Sequence, residues 1–564
     1  MKLKWSVIAA ILVFQISITY AAPAPLLPQL GNYHWPIKTS SKLAQTYFNQ
    51  GMVLFYGFDY GEAIRSFEGA IATDPKCSMC YVGLALALGS KMNLPIQGNE
   101  ILLAKHALTQ AETTNIPEDK KTTAYIQALK QRYAFTQAPL KPGIELTHIT
   151  IPSANARHFM TNLWQMTQVF KNDADLWSLY AYAIFDYTHW VFWNNQLQPR
   201  WTTLTLDYAI QNALQLSPRH PGAIHYYIHM LEFSPTPKAA LANAIQLGNL
   251  YSGAEHLVHM ASHIYYILGD YYLAVQQNLR AIQASKKYHQ AIANQGFQPI
   301  MNYLEQHNYY FLLADAFMAG MATTALQAAT SLEQITPLEK LKANAYLERF
   351  YAERYFTIAH FGLWQELAKL TPPDKRYRYL TAMWYYVQGL ANVNHGDHEQ
   401  SQQFLNKLLK LRVKLPETMP HTYRRNISIA IEILTANIAT QQKDYQTAIQ
   451  AWENAVNLQF KSVNGDPPSW YLSNHQGLGF AYLRADDPIA AKFAFEANLI
   501  IHPNNGWSLY GLAQVYRKLQ KASLVEEYFN KFKQAWKHAD VTLPLAYGSD
   551  IFMPLDKIFF KDEI

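Results

Sequence analysis

Histidines at a fixed offset are the residues of this chain best placed to do chemistry. His225 and His229 are followed 34 residues later by His259 and His263. Glu232 lies three residues beyond His229, and His256 three residues before His259, so each set shares one face of its helix. Neutral imidazole is the commonest protein metal ligand. A site for zinc, copper or iron needs three or four donors converging at about 2.0–2.2 Å from the ion. Two or three ligands from one helix and one or two from its neighbour would supply them. Glu232 would then be a further ligand, or the base that takes a proton from metal-bound water.

Other motifs are absent or read differently. Tyr226 and Tyr227 follow His225, where the helical metalloprotease signature requires Glu first, so this is not that motif. No Ser-His-Asp pattern, phosphate-cradling Gly loop or dinucleotide fingerprint is visible. His220 precedes Pro221 at a helix entry, where a local hydrogen bond is its expected role. Histidines of the central set also suit a groove that binds peptide through backbone or water, and that alternative stays open. The two cysteines, Cys77 and Cys80, are separated by two residues. They suit a short-loop disulfide in an oxidising compartment, or a redox pair that lacks the usual strand context.

The elements that position these residues follow from the 34-residue period. Tyr47, Gly51, Leu54, Ala63, Phe67, Ala70 and Pro75 alternate large and small side chains in the way two packed helices require. The pattern returns at Leu478, Gly479, Tyr482, Ala491, Phe495 and Pro503, at Leu512, Ala513, Tyr516 and Phe529, and at Ala261, Tyr265, Gly269, Ala274 and Ala281. On these residues the chain resembles a tetratricopeptide-repeat protein over most of its length. The resemblance implies an all-α, right-handed superhelical solenoid of about nine helix-turn-helix repeats across residues 42–540. Aligned on Gly320 and Ala325, His307 takes the register of His256. In such a solenoid that register faces the concave groove, which would put six histidines and Glu232 on its floor, with Tyr182, Asp186 and Tyr310 lining it. An insert carrying Asp186, Tyr187, His189, Trp190, Trp193 and Asn194 interrupts the spacing and would roof the groove or pack over helix ends. The resemblance is to secreted or periplasmic members of unassigned activity.

Half the residues are hydrophobic and 14% aromatic, with only 24 Gly and 27 Pro in 564, which argues for a large core and against disorder. Lys2 and Lys4 precede an apolar stretch from Trp5 to Ile18 and the small residues Thr19, Ala21 and Ala22. Residues 1–21 therefore read as a cleaved signal peptide and predict a secreted or periplasmic protein. Residues 22–41 form a Pro-rich leader and 541–564 a tail. Cleavage would remove two of the six net positive charges, and the remaining Lys and Arg are scattered, so nucleic acid is not an expected partner. No second long apolar run predicts a membrane span in the mature chain.

These features predict a cell-envelope scaffold that takes a protein or peptide in its groove, with a metal site among the central histidines. The alternative is a metal-dependent hydrolase or oxidase built on the same histidines.

Overall fold

The structure, a computed structural model, describes residues 24–89, 91, 96, 99–135, 151, 153–194, 196–300, 303–417, 419–460, 467–542 and 559–560. Within these the chain forms twenty-five α-helices, most of them paired as antiparallel hairpins, as the period predicts. One two-residue antiparallel pair, Val541 opposite Phe560 and Thr542 opposite Phe559, is added in the tail. The expected signal peptide and most of the tail lie outside the described residues.

The described residues cluster into two compact units. Among the described residues, one comprises 24–26, His34–Phe55 and those of Tyr60–Leu163, and the other Leu27–Tyr33, Tyr56–Asp59 and those from Trp164 onward. A solenoid has neighbour-only contacts. Here Leu27–Tyr33 and Tyr56–Asp59 instead pack with residues more than a hundred positions away, which no repeat period encodes.

The first unit shows why the alternation of small and large residues makes hairpins. Phe67 is fully buried between Gly51 and Gly83. A Cβ on Gly51 would stand 2.7 Å from the Phe67 ring, and one on Gly83 2.5 Å, so three successive helices interlock through one ring and two missing side chains. Cys77 caps the Ser78–Leu88 helix by accepting from the Cys80 backbone N–H, and the two cysteines are joined as a disulfide.

The second unit repeats the device far along the chain. Phe495 lies between Gly479 and Gly511, where added Cβ atoms would stand 2.6 and 2.4 Å from its ring. Its central hairpins carry the histidines on three helices: Pro221–Leu231, Glu255–Leu268 and Leu304–Ala319. Pro221 sits in the first turn of its helix, where a missing N–H costs nothing, and His220 caps it. Gly269, at φ 80°, supplies the left-handed residue that ends the second helix. Ile224, Leu257 and Ile264 are fully buried on faces away from the imidazoles, so these helices are covered on more than the histidine side.

Candidate metal centre

The predicted convergence is present. His225 and His229 direct their Nε2 atoms at each other across 3.0 Å, and His259 and His263 do the same across 2.7 Å. One helical turn separates the members of each pair, and one hairpin separates the pairs. An ion about 2.0–2.1 Å from each nitrogen could take both members of a pair as adjacent ligands.

The other ring nitrogens explain why the Nε2 atoms are bare. His225 Nδ1 lies 2.6 Å from the backbone carbonyl of Tyr56, which can only accept. Nδ1 of His229 and Nδ1 of His263 lie 3.0 and 2.7 Å from the two oxygens of Glu232. His259 Nδ1 lies 2.6 Å from Asn278 Oδ1. The orientation of that amide follows from its far side, because Asn278 Nδ2 donates to Asp315 Oδ2 at 2.6 Å and to the Ala274 carbonyl at 3.2 Å. All four imidazoles therefore carry their proton on Nδ1 when neutral. Two lone pairs facing each other at these distances repel unless a proton or a cation stands between them. A proton would leave a buried imidazolium. Burial, reinforced by neighbouring imidazoles, holds His225 and His259 well below the usual histidine range. A metal ion fits the arrangement, and hydrogen-bonded Nδ1 groups are the outer shell that orients histidine ligands.

His256 and His307 complete the cluster. The His256 ring lies 5.0 Å from that of His225 and 5.5 Å from those of His259 and His307. His256 is 1% exposed, and neither of its nitrogens has a hydrogen-bond partner. His307 Nε2 is likewise buried without a partner. Leaving such groups unmatched costs about 1–3 kcal/mol each. Ligand atoms of His225, His229 and His256 lie within 4.8 Å of one another, as do those of His256, His259 and His307. Burial first, then neighbouring imidazoles, also pushes His256 and His307 down, which keeps them as neutral donors.

Two expectations are corrected. The histidines were expected on an open groove floor, yet His225, His229, His256, His259 and His263 are no more than 4% exposed. Rings cover them: Phe58 lies 4.4 Å from His225, Trp190 4.7 Å from His229, and Phe311 4.4 Å from His263, between centroids. Tyr182 and Tyr310, expected to line the groove, are buried among other rings, Tyr182 against Tyr226 and Tyr310 against Phe350 and Tyr471. Asp186 is half-buried at the end of the Ala174–Thr188 helix. The aromatic content that made a large core predictable also closes the space above the site.

Several sequence readings hold. His220 Nδ1 accepts from the Ala223 N–H at the helix entry, and its Nε2 stands 3.1 Å from Asp175. In the insert, Trp190 packs 4.7 Å from His229 and 5.2 Å from Phe185 between centroids, and Trp193 donates its indole N–H to the Met230 carbonyl at 2.8 Å. Sequence reasoning missed the Tyr56 carbonyl, Phe58, Phe311, and the relay from Asn278 to Asp315. Asp315 carried a signal, since it is the one charged residue in the apolar run Tyr309–Met318. The others carried none.

Residues 44–77 match the family model of the tetratricopeptide repeat. The curated proteins compared include no match. Among solved structures, the chain is similar to the human IFIT1 dimer with PPP-AAAA, at 13% identity and TM-score 0.31 over 88% of this chain and 91% of that one. It is also similar to yeast Tom70, at 12% identity and TM-score 0.27 over 88% and 90%, and to the apo form of RapI, at 12% and 0.28 over 78% and 93%. This protein is of the tetratricopeptide-repeat type: it carries that repeat at 44–77 and is built from helical hairpins of the same design. Stacked hairpins of this kind are interaction scaffolds that present extended surfaces to protein partners. No described helix is long and apolar enough to cross a membrane.

Proposed function

We propose that this protein is a repeat scaffold of the cell envelope, secreted or periplasmic, whose second unit holds a transition metal of the zinc, copper or iron class. The observation that carries the metal is the pairing of bare Nε2 atoms at 3.0 and 2.7 Å, with the opposite nitrogen of every ring engaged by an acceptor. The envelope location is supported by the Lys2, Lys4 and Trp5–Ile18 pattern and by a Cys77–Cys80 pairing suited to an oxidising compartment. A protein or peptide partner would bind the helical framework rather than the buried imidazoles.

Binding describes the geometry better than hydrolysis. Both oxygens of Glu232 face Nδ1 atoms, so the residue that would act as the base of a hydrolase orients two ligands instead. Elemental analysis of the purified chain before and after chelation tests the proposal, beside the double variant His229→Ala, His263→Ala. Stoichiometric metal in the native protein and its loss from a folded variant are the expected results. Native protein that stays metal-free after incubation with zinc, copper and iron salts overturns the reading.

A further inference from the structure

The cluster holds more donors than one ion can use. A four-coordinate ion is complete with four ligands, whereas six imidazoles from three successive hairpins meet here. Four of them form two Nε2 pairs, and ligand atoms lie within 4.8 Å of one another in three groups: His225, His229 and His256; His256, His259 and His307; and His229, Glu232 and His263.

We infer that the site is a two-metal centre with all-imidazole coordination, the first ion held by His225, His229 and His256 and the second by His259, His263 and His307. The inference rests on the metal reading above and extends it. Three features separate it from a single ion. Each Nε2 pair has its own anchors: the Tyr56 carbonyl and Glu232 for the first, Asn278 and Glu232 for the second. Each pair has a third imidazole beside it with a buried nitrogen that no protein group satisfies, His256 for the first and His307 for the second. Glu232 spans the two, one oxygen on a ring of each pair, so a single carboxylate fixes both ligand sets at once.

The donor set narrows the metal. Six imidazole nitrogens suit copper or zinc and disfavour magnesium, calcium and manganese, which take oxygen ligands, and the carboxylate at hand, Glu232, meets His229 and His263 on their Nδ1 side, away from the Nε2 pairs. Carboxyl groups back both ligand sets, Glu232 one hydrogen bond behind the ligands and Asp315 two, through Asn278.

The test is a titration of copper(II) or zinc(II) chloride into the chelator-stripped full chain, followed by desalting and elemental analysis. Two equivalents retained per chain is the expected result. The paired variants His225→Gln, His229→Gln and His259→Gln, His263→Gln are each expected to retain one equivalent, with helicity unchanged by circular dichroism. One equivalent in the native chain overturns the two-metal assignment and leaves the metal-binding function standing; none overturns both. A folded paired variant that loses both ions overturns the division into two sites. Because the native titration decides alone, a variant that fails to fold does not rescue the inference.

Discussion

The second unit buries histidine in two contrasting ways. In the central hairpins each imidazole of the two Nε2 pairs is fixed by an acceptor on Nδ1 and faces another imidazole. His360, at the end of the Glu348–Phe361 helix, has no such company. Its ring packs 4.7 Å from Phe317, 4.8 Å from Phe361 and 4.9 Å from Trp507, and its Nε2 is shut from solvent without a partner. Burial alone lowers its pKa to about 3. The difference teaches what to look for: a depressed histidine in aromatic packing is a tolerated cost, whereas depressed histidines with oriented outer partners and converging lone pairs form a site.

Metal removal breaks the comparison most strongly. Metal at a thousand times its dissociation constant stabilises the native state by about 4 kcal/mol, so chelation is expected to lower the thermal midpoint of the native chain by several degrees. The His229→Ala, His263→Ala variant should show little further loss on chelation. Equal midpoints for the native chain with and without chelator, in calorimetry, would place the central histidines in the same class as His360.

Glu232→Gln sharpens the same point at lower cost. The amide can accept from one Nδ1–H but presents its own N–H groups to the other, so one ring loses its orientation. Outer-shell changes of this kind cost 10–100-fold in metal affinity, and competition with a chromophoric chelator would measure it. Unchanged affinity would mean that Glu232 merely fills space between the rings.

Glu353 offers a contrast from the His360 side of the unit. Its carboxyl accepts from the Tyr471 hydroxyl at 2.5 Å, and burial raises its pKa to about 8, against the opposing pull of that bond and of Arg349. Here the native state holds the proton that the unfolded chain releases near pH 4.5. The associated stability is full below that value and is lost as pH rises towards 8. Glu353→Gln keeps an acceptor for Tyr471 and removes the titration. The variant should gain on the native chain by at most roughly 3–4 kcal/mol between pH 5 and 8, since each pH unit of a one-proton difference is worth about 1.4 kcal/mol before solvent relaxation reduces it. Parallel denaturation curves at the two pH values would show that the carboxyl is ionised in the fold.

How far the sequence made this visible differs by feature. The 34-residue offset between His225 and His259 places two helices side by side, and the spacing of four residues places two rings on one face of each. Those facts suffice to bring the imidazoles of neighbouring hairpins together. The Phe67 and Phe495 interlocks were equally visible, because Gly and Phe recur at set positions. Periodicity is silent on what covers a face. The Tyr56 carbonyl and Phe58 reach the cluster from 169 and 167 residues before His225, outside any repeat. A site read as an open groove floor is accordingly a closed chamber. The same non-periodic packing of Tyr56–Asp59 drew the boundary between the two units where no composition shift announced one.

The smallest effect comes from His360→Leu, and it separates burial from function most cleanly. Leucine is close to histidine in volume and belongs among Phe317, Phe361 and Trp507, so stability at pH 7 should move by about 1 kcal/mol or less. The sign in acid is fixed by linkage. The unfolded chain takes up a proton near pH 6.5 while the native ring stays neutral to about pH 3, so the native chain loses stability as pH falls through that window. The variant has no such loss, and at pH 5.5 it should gain about 1 kcal/mol on the native chain, less whatever solvent at the ring's exposed edge returns. Metal content should be identical in the two proteins. A fall in bound metal on this substitution would tie His360 to the central hairpins and erase the distinction between the two buried environments.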